Sequence, residues 1–282
     1  MTKIFFIADF FYKDLTGGAE LNDYSVIARL RDAGFEVVEL YCKSLTIDFL
    51  NKNSNDKFII ANFVTMPEYI REHMAQNCKY IIYEHDHKYL KRRNPIFYKD
   101  FIAPKEELAN VRFYKRAKKV VCLTQLAVDV IKANTGLANI SKIGASVWTD
   151  ADLEYIKQLS KNNRNGKYAI MDSDNPIKKR EQCIKYCEKN NIEYELIKDK
   201  DHKRFLEKLS YYTGLVFMTG HLETCCRLVV EAKMMNCKVI MQHKLIGATS
   251  EDWFSFSGRK LTEEIREVSK GSVRIFEESF GE

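Results

Sequence analysis

The chain has 282 residues, with 45 Lys and Arg against 39 Asp and Glu, which gives a formal charge of +6. Its 45% of hydrophobic and 30% of charged residues are typical of a globular protein, and the length fits one large domain or two modest ones. With only 4 Pro and 12 Gly, the chain is neither collagen-like nor of low complexity. No apolar run reaches 18 residues, and the opening MTKIFFIADFF meets Asp9 too early for a signal peptide. We therefore expect a cytoplasmic protein without stable membrane insertion.

Short apolar runs alternate with helix-periodic segments through the first 160 residues. Such continuous apolar runs are typical of strands in a parallel sheet, because both faces of that sheet are covered. They predict strands at 3–8, 36–41, 58–63, 79–85 and 119–124. The intervening spacing predicts helices at 19–33, 67–76, 105–118, 125–134 and 149–160.

A second alternation follows residues 161–167 (KNNRNGK), which have the composition of a linker. Strands are predicted at 167–172, 193–197, 214–219 and 238–242, with helices at 177–190, 202–211 and 227–235. One short helical pattern follows Gly258, and it can cross back onto the first half.

This repeated order predicts an α/β protein with two doubly wound, Rossmann-like domains, at 1–160 and 161–282. Such sheets bind ligands at the carboxyl ends of their strands, so we expect a cleft between the domains. Neither G-x-G-x-x-G nor G-x-x-x-x-G-K-[ST] occurs, so nicotinamide and P-loop sites lose their usual support.

Two glycines, Gly17 and Gly18, precede the first predicted helix. Backbone amides at the start of a helix can approach a phosphate there, although two glycines before a helix are often only a turn.

The segment Glu84-His85-Asp86-His87 follows a predicted strand. Alternate residues of an extended chain share a face, so His85 and His87 could meet one ligand or a metal ion. Spacing places no third ligand, and the acidic neighbours can simply orient the imidazoles. The eight cysteines offer no C-x-x-C pair for zinc, and we expect them to be reduced thiols and no metal to be bound.

Glu223 and Glu231 lie eight residues apart where a strand end leads into a helix. The spacing places one glutamate in the loop and the other about two turns into the helix. A capping carboxylate and a surface charge would explain the same pattern.

The positive charge is concentrated between Lys88 and Lys119, where eleven basic residues face three acidic ones, so this window carries +8 and the rest of the chain −2. Aromatic residues are interleaved with the run, as in proteins that neutralise phosphates and stack bases. A solvated basic face with aromatic residues in the core would have the same composition.

These features together resemble the retaining nucleotide-sugar glycosyltransferases of family 4, which have the GT-B architecture. The resemblance spans about residues 3–255, and its most specific part is the glutamate pair. It rests on Gly17-Gly18-Ala19-Glu20, His85, Asn175-Pro176-Ile177-Lys178, Glu223 and Glu231-Ala232. The runs YEHDHKYLKRRNP, ETCCRLVVEAKMMNCKVI and LIGATSEDWF further resemble glycosyltransferases common in tailed bacteriophages.

The resemblance implies roles for single residues. His85, Lys178 and Glu223 would be catalytic, with Lys178 neutralising the diphosphate leaving group and His85 contacting the sugar or the diphosphate. Glu231 would accept hydrogen bonds from the ribose of the donor, since a carboxylate offers only acceptors. The remaining donor-binding residues would be Gly17, Gly18, Lys179, Arg180, Thr224, Cys225, Cys226 and Arg227. The donor would be a nucleotide sugar, with a UDP-sugar favoured, and neither a cofactor nor a metal is implied.

The chain departs from the family pattern at two places. Thr224-Cys225-Cys226-Arg227 replaces the usual Gly-Phe or Phe-Gly pair after the first glutamate, and Met171-Asp172-Ser173 lacks the usual basic residue. Lys179 also stands where glycine often follows the lysine. Lys179, Arg180 or Arg227 would then supply the missing positive charge.

The acceptor is the remaining question, and the basic run bears on it. Related phage enzymes include some that glycosylate hydroxymethylated bases in DNA, for which a basic groove would bind phosphates and an extruded base would enter the cleft. The acceptor residues would be His87, Lys88, Lys91, Arg92 and Arg93. One alternative is a glycosyltransferase acting on a surface glycan, lipid or protein, and another is a non-catalytic nucleic-acid-binding α/β protein.

Overall fold

The computed structural model describes residues 3–281, and these residues form two compact units. Unit 1 comprises residues 3–147 together with 268–281, and unit 2 comprises residues 148–267. The sequence predicts a domain boundary between residues 160 and 161, whereas the units divide between Val147 and Trp148. The difference arises because the helix at 150–159 packs on helices of unit 2.

Unit 1 is built on a six-stranded sheet in the order β2-β1-β3-β4-β5-β6, and its strands pair in parallel. The strands are β1 (Lys3–Ala8), β2 (Glu36–Tyr41), β3 (Lys57–Ile60), β4 (Lys79–Tyr83), β5 (Val120–Cys122) and β6 (Ile140–Lys142). The helices are α1 (Gly18–Asp32), α2 (Ile47–Lys52), α3 (Glu68–Asn77), α4 (Val111–Arg116) and α5 (Gln125–Thr135).

Unit 2 is built on a four-stranded parallel sheet in the order β10-β9-β7-β8. Its strands are β7 (Tyr168–Met171), β8 (Tyr194–Ile197), β9 (Gly214–Phe217) and β10 (Lys238–Met241). Its helices are α6 (Asp150–Leu159), α7 (Arg180–Lys189), α8 (His202–Ser210) and α9 (Arg227–Met234). The last helix, α10 (Gly258–Phe280), begins in unit 2 and ends in unit 1.

The predicted apolar runs form the centre of each sheet. Phe6, Ile7, Ile59 and Ile81 of unit 1 have no exposed surface, and Leu215 of unit 2 is equally buried. Helices cover both faces of such sheets, which is why these strands lack polar alternation. Each unit is therefore Rossmann-like, as the sequence predicts.

The eight cysteines are free thiols, and most of them are packing residues. Cys183 and Cys187 lie on one face of α7 and pack against Ile170 and Val216 of the sheet. Burial raises the pKa of the Cys183 thiol to about 11, so it stays protonated at neutral pH.

Four elements differ from the prediction. The helix expected at 105–118 is reduced to α4 because residues 105–107 form an isolated turn of 3-10 helix and Asn110 adopts a left-handed conformation with φ 54°. The short α2 and β6 were not predicted, and the short helical pattern after Gly258 is the 23-residue helix α10. None of the helices within residues 3–281 is long and apolar enough to cross a membrane.

Candidate active site

At the start of α1 in unit 1, the predicted glycines lie beside an acidic side chain. Gly17 is the N-cap residue, and a Cβ atom built on it would collide with the Glu20 carboxylate. Glycine leaves room here for the Glu20 side chain, which folds back over the first turn. Burial raises the pKa of the Glu20 carboxyl. The Glu20 carboxylate therefore lies beside Gly17, where the sequence predicts a bound anion. A Cβ atom on Gly18 would meet no other atom.

His85 lies just beyond the carboxyl end of β4, where it pairs with a residue that the sequence analysis missed. Its Nε2 is 2.7 Å from Oδ1 of Asp23 in α1, and the two side chains are 3% and 2% exposed. The Tyr83 ring packs edge-on against the imidazole at 4.4 Å. A carboxylate at this distance fixes the orientation and tautomer of an imidazole. Glu20 and Asp23 are three residues apart and so share a face of α1, which was the available signal.

Glu84 organises the turn that follows β4. Its Oε1 accepts hydrogen bonds from the backbone amides of Asp86 and His87, both at 2.9 Å, and from Lys88 Nζ at 3.0 Å. Its other oxygen accepts a hydrogen bond from the Tyr114 hydroxyl. The turn is thus held together by one buried carboxylate.

Lys88 and His87 are buried, not exposed. Burial alone would lower the pKa of Lys88, but Asp86 and Glu84, each 3.0 Å from Nζ, raise it above its ordinary value. His87 has φ 61° and its Nδ1 lies 2.9 Å from the Tyr89 hydroxyl. The acceptor role predicted for these two residues would require them to leave these partners. Within residues 3–281, no group of three side chains is arranged to hold a metal ion.

The basic run does not form one continuous patch. Lys91 and Arg92 follow the carboxyl end of β4, and the backbone amide of Lys91 bonds to the Glu107 carbonyl at 2.9 Å. Lys118 precedes β5 and its amide bonds to the Tyr80 carbonyl, near the beginning of β4. Because β4 and β5 are parallel, the run begins at the carboxyl edge of the sheet and ends at the amino edge.

The carboxyl-edge part of the run is exposed and largely unneutralised. Lys91, Arg92, Lys99 and Lys105 are exposed and form no ion pair within residues 3–281, whereas Arg93 pairs with Asp86 at 3.0 Å. The Arg92 guanidinium lies 4.3 Å from the centroid of the Phe97 ring, which is 53% exposed. This surface has the charge and the aromatic group expected of a nucleic-acid-binding surface.

In unit 2, the fold brings Lys178 and Glu223 together from two loops. Lys178 ends a 3-10 turn after β7, and Glu223 lies between β9 and α9. The Nζ atom of Lys178 is 3.2 Å from Oε1 of Glu223 and 5.3 Å from the centroid of the Phe217 ring. Burial would lower the pKa of Lys178, but the Glu223 carboxylate outweighs it and raises the pKa. Lys178 is therefore a cation at neutral pH.

Lys179 is packed against Gly220. Lys179 has φ 47°, and a Cβ atom on Gly220 would lie 2.6 Å from the Lys179 Cε atom. The Gly220 amide also donates to the Ile177 carbonyl at 2.7 Å. The left-handed conformation explains why the family pattern favours glycine at the position of Lys179.

Arg180 and Arg227 have partners within the protein. Arg180 is 2.7 Å from Asp172 and 3.2 Å from Glu181, and its hydrogen bond to Asp172 is the largest cause of its raised pKa. The Arg227 guanidinium is buried 4.2 Å from the centroid of the Trp148 ring. The sequence predicts that Lys179, Arg180 or Arg227 supplies the missing positive charge at the diphosphate. Arg180 and Arg227 already interact with other side chains of the protein.

The segment between Glu223 and α9 is held against the following loop. The Glu223 amide donates to the Leu245 carbonyl at 2.9 Å, and the Gly247 amide donates to the Glu223 carbonyl at 2.7 Å. Cys226 caps α9 with φ 71°, and burial raises the pKa of its thiol well above the ordinary value. Thr224 and Cys225 are also buried.

Glu231 lies in the middle of α9 and is fully buried. Its Oε1 accepts hydrogen bonds from Trp148 Nε1 at 2.9 Å and from His202 Nε2 at 3.1 Å, and Arg227 Nε is 3.5 Å away. Burial alone would raise the pKa of Glu231, but His202 and Arg227 lower it to about 2. Trp148 and His202 were not predicted, since nothing in the sequence joins positions 148, 202 and 231.

No protein-family profile and no curated protein sequence matches this chain. Solved structures match over nearly its whole length. An alpha-glucosyltransferase in complex with UDP and a 13-mer DNA containing an HMU base is 12% identical with a TM-score of 0.52, and the match covers 99% of this chain and 94% of that one.

Two further structures match similarly. Anabaena HepE in complex with UDP and glucose is 12% identical with a TM-score of 0.52, over 96% of this chain and 90% of that chain. The lipopolysaccharide outer core galactosyltransferase WaaB is 13% identical with a TM-score of 0.50, over 98% and 95%. These similarities confirm the predicted fold class, two Rossmann-like domains of GT-B type.

Proposed function

We propose that this protein is a glycosyltransferase that moves a sugar from a UDP-sugar to the hydroxyl group of a hydroxymethylated base in DNA. The observation that carries the proposal is the Lys178–Glu223 pair, at the carboxyl ends of strands in a chain with the fold of glycosyltransferases bound to UDP. In α/β sheets, ligands bind at that edge.

The donor would bind in unit 2. The ammonium group of Lys178 can leave Glu223 and pair with the diphosphate of the donor. Its positive charge would stabilise the departing diphosphate. The segment Thr224-Cys225-Cys226, which leads into α9, would face the sugar. Glu231 remains ionised at neutral pH and offers acceptors to the ribose.

The acceptor would bind to unit 1. His85, fixed by Asp23, follows the carboxyl end of β4. The exposed residues Lys91 and Arg92 follow the same strand, and they suit the phosphates of DNA. The similarity to an alpha-glucosyltransferase in complex with DNA that contains an HMU base supports this choice of acceptor.

The proposed reaction retains the configuration of the sugar and uses no bound metal. The bond between the sugar C1 and the diphosphate breaks, the acceptor oxygen bonds to C1 on the same face, and its proton passes to the leaving diphosphate. The side chains would act mainly by placing both substrates and by neutralising the leaving group. Lys178 supplies the cation in this scheme.

The test is a transfer assay with UDP-glucose and UDP-galactose, using DNA with and without hydroxymethylated bases. Transfer to the modified DNA alone is expected, with the anomeric configuration of the donor in the product and equal rates with and without EDTA. No transfer with any UDP-sugar, or binding to DNA that does not weaken with salt, would contradict the proposal.

A glycan acceptor is the second candidate, favoured by the similarity to HepE and to the galactosyltransferase WaaB. It predicts hydrolysis or transfer of the UDP-sugar with oligosaccharide acceptors and none with modified DNA. The same donor assay, run with both acceptor classes, decides between the candidates.

A further inference from the structure

The two oxygens of the Glu231 carboxylate have different environments. Oε1 accepts two hydrogen bonds, from Trp148 Nε1 and His202 Nε2. Oε2 is buried in the free protein, and no donor within residues 3–281 bonds to it. Buried carboxylate oxygens in proteins nearly always have a donor, so Oε2 can accept one more hydrogen bond, from a ligand under the proposed function.

The missing partner must be a donor and not an acceptor. The Glu231 carboxyl stays ionised because its pKa is lowered to about 2, so both of its oxygens can only accept. A hydroxyl group meets this requirement. The ribose of a nucleotide sugar carries such hydroxyl groups.

Of the two residues that hold Oε1, only His202 is at the surface. Trp148 is fully buried, whereas the His202 side chain is 20% exposed. The charged groups around the imidazole are Glu231 and Arg227 of α9, and Asp152 of α6, which itself lies 4.0 Å from Lys203. His202 is therefore the outer hydrogen-bond donor that limits rotation of the carboxylate.

We propose that His202 is a positioning residue for the donor nucleotide: by holding Oε1 of Glu231, it keeps Oε2 turned towards a ribose hydroxyl. The inference rests on the proposed function, because it takes the ligand to be a UDP-sugar. His202 does not touch the donor in this arrangement and acts through Glu231 alone.

The test is a double-mutant type of cycle, which compares the loss of binding free energy on removing the His202 imidazole with the loss on removing a ribose hydroxyl. The binding of UDP, 2′-deoxy-UDP and 3′-deoxy-UDP is measured by calorimetry for the unchanged protein and for His202→Leu. We expect His202→Leu to weaken UDP binding about tenfold, and to weaken the binding of at least one deoxy nucleotide less than about twofold, because the coupled hydroxyl is absent. His202→Gln retains a side-chain N–H donor and should keep most of the UDP affinity.

Two controls separate this role from a structural one. Arg204→Leu changes an exposed residue on the same helix and should leave the affinity for all three nucleotides unchanged. Melting temperatures are recorded for each variant, and if His202→Leu does not fold, His202→Asn takes its place in the cycle.

The outcomes are distinct. Equal weakening for UDP and for both deoxy nucleotides, or no weakening of UDP binding by His202→Leu, overturns the role of His202 while leaving the proposed function intact. Failure of the unchanged protein to bind UDP overturns the proposed donor, and the inference with it.

Discussion

Lys178 and Glu223 are 45 residues apart in the chain, yet Lys178 Nζ lies 3.2 Å from Glu223 Oε1. Replacing Lys178 with Met should lower kcat about 100-fold, because the leaving diphosphate loses its nearest cation. Lys185→Met, on the exposed side of α7, is the matched control and should leave kcat unchanged. Steady-state kinetics with a UDP-sugar measure both, and equal kcat values for the two variants would remove Lys178 from the mechanism.

The division of the basic run between two sheet edges predicts different DNA-binding effects. Arg92→Ala should weaken DNA binding and reduce the slope of log K against log salt by about 0.9, the effect of one lost phosphate contact. Lys118→Ala removes the same charge at the amino edge and should leave transfer to modified DNA unchanged. Titrations at several salt concentrations test this, and identical effects of the two changes would mean that the edges are equivalent for DNA.

Asp23 should act on catalysis through His85. Asp23→Asn keeps the size of the side chain but removes the charge that orients the imidazole. We expect kcat to fall about 10- to 100-fold, as for other histidines oriented by carboxylates, with little change in the KM for the donor. A rise in KM with unchanged kcat would show that the pair serves donor binding instead.

The ion pair of Lys88 should contribute to stability. Lys88→Met leaves the Glu84 carboxylate buried without its cation, which should lower the free energy of unfolding by about 3–5 kcal/mol. The double variant Glu84→Gln/Lys88→Met removes both charges and should recover part of that loss. Urea unfolding measures each value. If Lys88→Met instead unfolds like the unchanged protein but loses DNA affinity, Lys88 is a phosphate ligand as the sequence first indicated.

The His202–Glu231 pair should make stability depend on pH. Burial lowers the pKa of His202, but Glu231 outweighs it and raises the pKa above 6.5 in the folded protein. The stabilisation from the charged pair is therefore complete below about pH 6.5 and is lost as the pH rises through the folded-state pKa. The difference in unfolding free energy between the unchanged protein and His202→Gln should shrink from pH 6 to pH 9. A constant difference would show that His202 is neutral throughout.

The sheets could be predicted from the sequence because their strands are continuous apolar runs such as Ile4–Ala8, and these runs are long enough to stand out from the helices. The short β6 could not, because Ile140, Ser141 and Lys142 are only half-buried and give no apolar run. Lys178, Glu223 and Glu231 were identified by resemblance, and the structure places the first two together. Trp148 and His202 could not be predicted, since their roles come from contacts between distant positions.

Lys179 supplies a positive charge but lowers the stability of the fold. A non-glycine residue with φ 47° is strained, and a cation next to the start of α7 opposes the helix dipole, so both features favour a smaller, uncharged residue there. Glycine would relieve both costs, but it would also remove an ammonium group and the aliphatic chain that covers Gly220. Selection for thermal stability would thus favour Lys179→Gly, and the more stable variant would lack a positive charge beside Lys178.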